Sequence, residues 1–424
     1  MFNWYGNHKI GIFGAQDSGK TMLLLSWLCH LENHNEKHFF LGDGVRVSDF
    51  SYRPHPERDF GFLNCRQVFW LQRRWPAPTA DFTLAACRFR RSDCWCARDV
   101  EFVDIPGERS ADSDIWLYDD YEDWSRETLN CFISDPERGE CLREFLRLSA
   151  LAETPLETLA AAYKRALAEM YRRYCAVSPS SFILDVSGKL ISREELESPE
   201  KTAARPLSPA GDFVPLPPEW RGREVFSTCR RRYRQYRRET VLPLYAEINA
   251  CDAFVVCVDV FRLLSCGPLA LWKTRQETRC LLDKILPNRL QELFDKLGGN
   301  PPRLVFAATK ADLVSGLNRE RLQYLLDDFA RPFRRAAIDS RNFLCSSCVS
   351  TLPGAEPDIP VGDLFGDGKH YKIFTGALPD EWPDPRQWRP GDYGFQPVPP
   401  VLSAGSPPRQ INLDRIFNFL TEDI

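Results

Sequence analysis

A short glycine-bounded loop near the start of the chain has the composition of a phosphate-binding site. It reads GAQDSGKT over residues 14–21 and follows the apolar run KIGIF of Lys9–Phe13. Small residues at this spacing let successive backbone N–H groups face a phosphate, and the helix that follows adds its positive N-terminal dipole. The residues predicted to bind the nucleotide phosphates are Gly14, Asp17, Ser18, Gly19, Lys20 and Thr21.

Two side chains of this loop and one distant carboxylate together predict a magnesium site. Lys20 would reach the β- and γ-phosphate oxygens, and the Thr21 hydroxyl would bind Mg²⁺. Asp104 ends the apolar run of Val100–Val103 and would hold the metal through water. The predicted cofactor is therefore Mg²⁺, bound together with the phosphates of a nucleotide.

The residues after Asp104 complete a DxxG motif, DIPG, which Glu108 follows. The backbone N–H of Gly107 would contact the γ-phosphate and sense its loss. A carboxylate at Glu108 either orients the attacking water or caps the following helix, and the sequence leaves both roles open. The predicted catalytic residues are Lys20, Thr79, Asp104, Gly107 and Glu108.

Thr79 lies in a proline-stiffened loop, WPAPT of Trp75–Thr79, that leads into the apolar run Thr83–Phe89. In a nucleotide switch, a threonine at this place coordinates Mg²⁺ and contacts the γ-phosphate, which orders the loop only in the triphosphate state. The predicted metal ligands are then Thr21, Thr79 and Asp104. A solvated loop threonine accounts for the pattern equally well.

A candidate base-binding motif, TKAD of Thr309–Asp312, follows the apolar run Leu304–Ala308. Asp312 can accept hydrogen bonds from N1–H and N2–H₂ of guanine, whereas adenine has no matching donors, and the aliphatic stem of Lys310 can cover the ring. Ser346 and Ser347, after the next short strand, are predicted to close the pocket through backbone N–H groups. The predicted base-site residues are Thr309, Lys310, Asp312 and Ser347.

The elements that must position these residues alternate between strands and helices. The runs at Val100–Val103, Ala253–Val258 and Leu304–Ala307 are nearly continuous and apolar, which is typical of parallel strands buried on both faces. Between the first two lies a long, mostly helical stretch. Its clearest helix is predicted to start at Thr154, with a capping box to Glu157.

We therefore predict a three-layer α/β P-loop NTPase sheet, GTPase-like, with a large inserted helical domain. The P-loop domain is predicted to be discontinuous, over residues 1–124 and 240–424, and the inserted domain to span 125–239. A hairpin is predicted across Asp367–Gly368, and an amphipathic segment at Ile411–Phe419 is predicted to pack on the sheet.

Composition restricts the partners and the compartment. A net charge of −4 argues against a dedicated nucleic-acid or anionic-membrane binder. We predict no secretory signal and no membrane span, because the first residues lack the pattern of a signal peptide and the most apolar stretch, Met22–Cys29, is far too short to cross a bilayer. Fifteen cysteines without an export signal predict reduced thiols and a cytoplasmic protein. The spacing of Cys94 and Cys96 from Cys345 and Cys348 does not suit a structural zinc site.

The basic run RRRYRQYRR of Arg230–Arg238 suggests RNA or anionic lipid at first sight. A helix with solvated arginines that leads into the strand at Ala253 is the simpler interpretation. An arginine of this run could also reach the nucleotide as an internal finger, and the sequence does not choose among these.

Over most of its length the sequence resembles the YcjX-like family of bacterial P-loop proteins. The matching stretches are SGKT at Ser18–Thr21, WPxxT at Trp75–Thr79, DxPGE at Asp104–Glu108, FIL at Phe182–Leu184, Asp259–Pro268, AATKAD at Ala307–Asp312 and INLD at Ile411–Asp414. The resemblance implies a GTPase with an inserted helical domain that is associated with stress responses in bacteria. The chain departs from the family pattern at Arg109, which replaces an aromatic residue, and in a shortened, cysteine-rich context around Ser347.

The predicted function is magnesium-dependent binding and slow hydrolysis of GTP to GDP, in a stress-related molecular switch. Hydrolysis is expected to be slow because few catalytic groups beyond the metal site are visible. The alternatives are a P-loop ATPase or kinase, and a nucleotide-gated scaffold with incidental hydrolysis. A protein partner, not identified by the sequence, is expected to bind the helical insertion.

Overall fold

A computed structural model gives the fold of the chain. The structure describes residues 8–33, 38–70, 76, 82–133, 136–151, 153–174, 179–182, 191, 195, 198, 201, 212–295, 302–313, 318–334, 340–348, 378–393 and 410–422. The predicted hairpin across Asp367–Gly368 lies outside them.

A mostly parallel sheet of seven strands forms the centre of the described fold, in the order β2-β3-β4-β1-β5-β6-β7. Strands β4, β1, β5, β6 and β7 run parallel, whereas β2 and β3 pair antiparallel with each other, as do β3 and β4. The strands are β1 (His8–Phe13), β2 (Val47–Pro54), β3 (Thr83–Arg91), β4 (Ala97–Asp104), β5 (Ala253–Val258), β6 (Arg303–Ala308) and β7 (Phe343–Ser347).

Helices flank this sheet and fill the long connection between β4 and β5. The described helices are α1 (Lys20–Glu32), α2 (Phe62–Trp70), α3 (Ser113–Leu117), α4 (Tyr121–Ile133), α5 (Pro136–Ser149), α6 (Leu156–Tyr174), α7 (Glu224–Tyr236), α8 (Leu242–Asn249), α9 (Val260–Cys266), α10 (Pro268–Asp295), α11 (Arg319–Arg334) and α12 (Leu413–Thr421). The fold is α/β and P-loop NTPase-like, with a helical insertion, as predicted.

The chain divides into two compact units. The first comprises Met1–Gly107, Ile248–Leu271 and Ile285–Ile424, and the second comprises Glu108–Glu247 and Trp272–Lys284. The functional domain boundaries predicted above, 1–124 with 240–424 and 125–239, stay a prediction.

The core of the first unit joins the two ends of the chain. Trp27 of α1 lies 5.7 Å from the ring of Phe102 in β4 and 5.8 Å from that of Phe417 in α12. Its indole N–H donates to the carbonyl of Leu413 at 3.0 Å. The C-terminal amphipathic segment therefore packs on the sheet, as predicted.

The second unit has its own aromatic core. Tyr121, Trp124, Phe213 and Tyr233 contact one another with ring centroids 5.2–6.0 Å apart. The basic run predicted to be helical contributes to this core through the inner face of α7, where Phe226, Cys229, Tyr233 and Tyr236 are buried. Arg231 and Arg234 of α7 are exposed, whereas Arg232 donates to the carbonyl of Asp212 at 3.0 Å.

Within the described part of the chain, no helix is long and apolar enough to cross a membrane. The thiols of Cys94, Cys96, Cys345 and Cys348 are free. No group of three or more His, Cys, Asp or Glu side chains among the described residues is placed to hold a metal ion.

Candidate functional site

The topology brings the predicted motifs to one edge of the sheet. Because β1, β4, β5, β6 and β7 are parallel, the residues that follow each of them lie at the same edge. Strand β1 has β4 on one side and β5 on the other, so the chain reverses its direction of winding there. Ligands of open α/β sheets bind at such a point, outside the carboxyl ends of the strands.

The loop after β1 is folded so tightly that its first residue must be glycine. Gly14 has φ +149°, and a Cβ built on it would lie 2.5 Å from the carbonyl oxygen of Cys257 and 2.7 Å from Oγ of Ser18. Both distances are below any real contact, so a side chain would push the loop off the sheet. Ser18 is fully buried, and Gly19 directly precedes α1.

The Lys20 ammonium is held at the centre of this loop. Its Nζ donates to the carbonyl oxygens of Gly14 at 2.9 Å and Ala15 at 2.8 Å, and the residue is 6% exposed. These two weak neutral acceptors leave the cation able to exchange them for phosphate oxygens, which bind it more strongly.

The two predicted magnesium ligands of the described chain meet directly. The Thr21 hydroxyl donates to Oδ2 of Asp104 at 3.2 Å, and Asp104 is fully buried at the end of β4. Hydroxyl and carboxylate oxygens are the hard donors that Mg²⁺ prefers, and Mg²⁺ typically uses one or two protein ligands beside phosphates and water. The residues therefore fit the ion.

Gly107 packs against the loop of residues 14–21, which is called the phosphate loop below. A Cβ built on Gly107 would lie 2.3 Å from the backbone N of Gln16 and 2.6 Å from the carbonyl carbon of Ala15. The DxxG segment and the phosphate loop are thus in backbone contact. Glu108 lies in the 3₁₀ turn Gly107–Asp112, but its side chain is outside the described residues, and so is all of Thr79.

Arg109, at which the sequence departs from the expected pattern, lies in a buried cluster of the second unit. Its guanidinium donates to Tyr236 Oη at 2.8 Å and to Ser180 Oγ at 3.3 Å, and lies 4.0 Å from the Asp112 carboxylate. Burial raises the pKa of Asp112, while the charge of Arg109 acts in the opposite direction.

The base motif is joined to the phosphate loop by a hydrogen bond. The Thr309 hydroxyl donates to the carbonyl of Ser18 at 2.6 Å. Lys310 has φ +60° and its ammonium pairs with Asp259 at 2.6 Å. Burial raises the pKa of Asp312 to about 6, against the opposing charges of Lys310 and Arg319.

Ser347 ends β7 at the same edge of the sheet. Its backbone N–H, predicted to face the base, donates to Oε1 of Gln323 at 2.8 Å, and its carbonyl accepts from Nδ2 of Asn412 at 2.8 Å. Asn412, from the INLD stretch, has φ +60° and precedes α12. The Ser347 backbone is therefore fixed by side chains from two other elements.

Two residues at this edge were not among the predicted site residues. Asp259 follows β5 and is 7% exposed, and Arg262 of α9 donates to the carbonyl of Gln16 at 3.0 Å. Neither belongs to a nucleotide-binding motif. The signal that could have identified Asp259 is its place directly after a buried parallel strand.

The sequence matches known proteins over most of its length. The model of the YcjX-like family, DUF463, matches residues 8–424. A relative described as "Ras-like GTPase YcjX", from Shewanella oneidensis, is 23% identical over 339 residues, which are 75% of this chain and 67% of the relative. The match to the family model spans nearly the whole sequence, and the chain therefore belongs to the YcjX-like family.

Proposed function

We propose that this protein binds GTP with magnesium and hydrolyses it slowly to GDP. The observation that carries the proposal is the hydrogen bond from the Thr309 hydroxyl to the carbonyl of Ser18. It fixes a loop with phosphate-binding geometry to a loop with a guanine-binding pattern, so that one ligand can contact both.

The choice of guanine rests on Asp312. As a carboxylate it would accept from N1–H and N2–H₂ of guanine, whereas adenine would leave a partly buried charge without donors, at a cost of several kcal/mol. The relative named as a Ras-like GTPase supports the same choice.

The chemistry would be carried by positioning and charge. Lys20 would move from the carbonyls of its loop to the β- and γ-phosphate oxygens, and Gly107 would donate its N–H to the γ-phosphate. Thr21 and Asp104, with Thr79 as a further predicted ligand, would hold Mg²⁺, which neutralises phosphate charge when bound. Glu108 would orient the attacking water. Since Arg109 is engaged within the second unit, it supplies no free cation, and turnover would be far below one per second.

We further propose that this cycle serves as a molecular switch in the cytoplasm, with the stress-related role that the family resemblance implies. The loss of the γ-phosphate would release the segment at Gly107, because only the triphosphate offers it an acceptor.

The arginine face of α7 is the surface we propose for a protein partner. A groove of about 460 Å³ is lined by Ser227, Arg230, Arg231, Arg234, Gln235 and Arg238. Asp120 lies within 3.6 Å of both Arg230 and Arg234, so one carboxylate faces two guanidinium groups. This excess of positive charge in a chain of net charge −4 suits a short acidic segment of a partner.

A labelled oligoglutamate peptide tests this surface. We expect the double substitution Arg231→Glu and Arg234→Glu to weaken its binding about tenfold or more, because attraction becomes repulsion. Equal binding to the wild-type and substituted proteins would contradict the assignment.

Phosphate release tests the proposed activity. We expect slow release from GTP, none above background from ATP, and loss of the activity on chelation of magnesium or in Asp104→Ala. Equal phosphate release from ATP and GTP would favour the ATPase or kinase alternative. Binding of GTP without any release of phosphate would favour the scaffold.

A further inference from the structure

The described non-glycine residues with a left-handed backbone all lie at the candidate nucleotide site. They are Asp17 with φ +58°, Lys310 with φ +60° and Asn412 with φ +60°. Residues with a Cβ rarely adopt such a conformation, and it persists where the surrounding structure holds it. Asp17 belongs to the phosphate loop and Lys310 to the base loop, so both nucleotide-facing loops are strained.

Arg262 holds the strained turn of the phosphate loop from outside. Its Nη1 donates to the carbonyl oxygen of Gln16 at 3.0 Å and to Oδ2 of Asp17 at 3.3 Å. The Arg262 side chain is 25% exposed, and that of Asp17 is 62% exposed. The single guanidinium therefore binds both the backbone and the side chain of the outer turn.

Asp259 continues this contact to the base loop. One carboxylate oxygen accepts the backbone N–H of Arg262 at 3.0 Å, and the other pairs with the Lys310 ammonium at 2.6 Å. The Asp259 side chain is 7% exposed and that of Lys310 is 33% exposed, so only the carboxylate of this pair is buried. Asp17, Arg262, Asp259 and Lys310 form a continuous chain of contacts, here called the strap, whose two ends are the two strained residues. The guanidinium of Arg262 binds Asp17, and its backbone N–H binds Asp259.

We propose that this strap slows the release of bound nucleotide, with Arg262 as its positioning residue. The inference rests on the proposed function, because it assumes that a guanine nucleotide occupies the site. A ligand held at its phosphates and its base leaves only when both loops loosen. The strap couples the loops, so that neither relaxes its strained residue alone.

Breaking the strap at Arg262 has a specific consequence. The outer turn of the phosphate loop loses both contacts that hold Asp17 in its strained conformation, and GDP and GTP dissociate faster. The preference for guanine is retained, because Asp312 is not part of the strap. A higher salt concentration should also accelerate the release of nucleotide, because salt screens the half-exposed pair of Arg262 and Asp17.

The test is the dissociation rate of a fluorescent GDP analogue, measured on the full chain by stopped-flow displacement with unlabelled GDP. We expect Arg262→Ala to release it about tenfold faster than wild type and Arg262→Lys to lie between them. Arg331→Ala is the matched control, because Arg331 of α11 is 77% exposed and pairs with Asp328 on the surface. Its release rate should equal that of wild type.

Salt dependence separates the strap from a general loss of stability. Raising salt from about 50 to about 500 mM should accelerate release from wild type but change it little in Arg262→Ala. Thermal unfolding of the nucleotide-free proteins shows whether the variant is folded. If Arg262→Ala does not fold, Arg262→Lys and Asp259→Asn carry the same test.

The outcomes distinguish the strap from the function on which it rests. Wild-type protein that binds no guanine nucleotide contradicts both. Wild-type protein that binds, together with folded Arg262 variants that release at the wild-type rate, contradicts the strap alone.

Discussion

At the scale of single residues, Lys20 is the cation on which we propose that phosphate binding depends. Its ammonium is 6% exposed and contacts the carbonyls of its own loop. We expect Lys20→Ala to weaken GTP binding about a hundredfold, or roughly 3 kcal/mol, because it removes a charge-assisted contact to two phosphates. Equilibrium titration measures this, with Lys201→Ala as an exposed control. Near-normal affinity in a folded Lys20→Ala protein would exclude the loop from phosphate binding.

Asp312 should make guanine binding sensitive to pH. Its pKa in the free protein is raised to about 6 by burial, and guanine donors favour the charged carboxylate, so binding lowers the pKa and releases a proton. The affinity for GDP should therefore fall about tenfold as the pH is lowered from about 7 to about 5. Calorimetry in buffers of different ionisation enthalpy measures the proton release directly.

The terminal phosphate of GDP also titrates near pH 6. A variant without the carboxylate is therefore needed to separate the contribution of Asp312 to the pH dependence from that of the phosphate. Asp312→Asn retains the phosphate loop and should bind GDP more weakly, with the Asp312-dependent part of the pH response removed. An identical pH response in both proteins would remove Asp312 from the base site.

That the motif residues lie close together could be predicted from sequence, because each motif follows a recognisable parallel strand, and their roles toward phosphate and base stay a prediction. The structure brings Lys20, Thr21 and Asp104 together and bonds Thr309 to the phosphate loop. Arg262 was not predicted, because a side chain that holds a loop from behind can come from many positions and has no sequence signature. Asp259 was not predicted either, although its place directly after the buried strand β5 could have identified it.

At the scale of secondary-structure elements, the turn that follows β4 is anchored by a buried carboxylate. Asp112 accepts from the Ser180 backbone N–H at 2.8 Å, from Ser180 Oγ at 2.6 Å and from Tyr236 Oη at 2.7 Å. Arg109 completes this cluster. The contacts join the turn Gly107–Asp112 to α7 within the second unit.

Removing one member of this cluster should destabilise the protein, and the loss should be larger when a charged partner is removed than when a hydroxyl is removed. We expect Tyr236→Phe to lower the free energy of unfolding by about 1 to 2 kcal/mol, and Asp112→Ala by about 3 kcal/mol because it also leaves Arg109 without its carboxylate. Urea unfolding followed by circular dichroism measures both. Tyr324→Phe, at a position 58% exposed, should be neutral; an equal effect there would contradict the assignment.

The elements that were predicted are the ones with strong apolar patterns. Strand β5 was predicted at its observed bounds, and β1, β4 and β6 differ by a few residues at their ends. Strand β2 was missed because it is the outermost strand on one side of the sheet and most of its side chains are exposed. Its sequence therefore has no continuous apolar run. The helix predicted to start at Thr154 begins at Leu156, and the Thr154 hydroxyl donates to the carbonyls of Leu148 and Leu151.

At the scale of the whole molecule, the parallel sheet accounts for the site. Residues from four distant parts of the sequence meet because the strands that precede them, β1, β4, β5 and β6, point the same way. The order of the strands was not predictable, since a pattern of buried strands does not specify which neighbours pair. The alternation of strands and helices predicted the fold class even though the order of the strands was unknown.

Base choice tests the central claim most directly, because guanine specificity separates a GTPase from an ATPase or a kinase. The measurement is displacement of a fluorescent guanine nucleotide by GTP, ATP and XTP, from wild type and from Asp312→Asn. We expect wild type to prefer GTP over ATP by about a hundredfold or more, since adenine cannot satisfy the carboxylate. The Asp312→Asn amide can donate to the extra carbonyl of xanthine, so this variant should lose affinity for GTP and gain affinity for XTP. Equal displacement of the probe from wild type by ATP and GTP, unchanged by Asp312→Asn, would contradict the assignment of the protein as a GTPase.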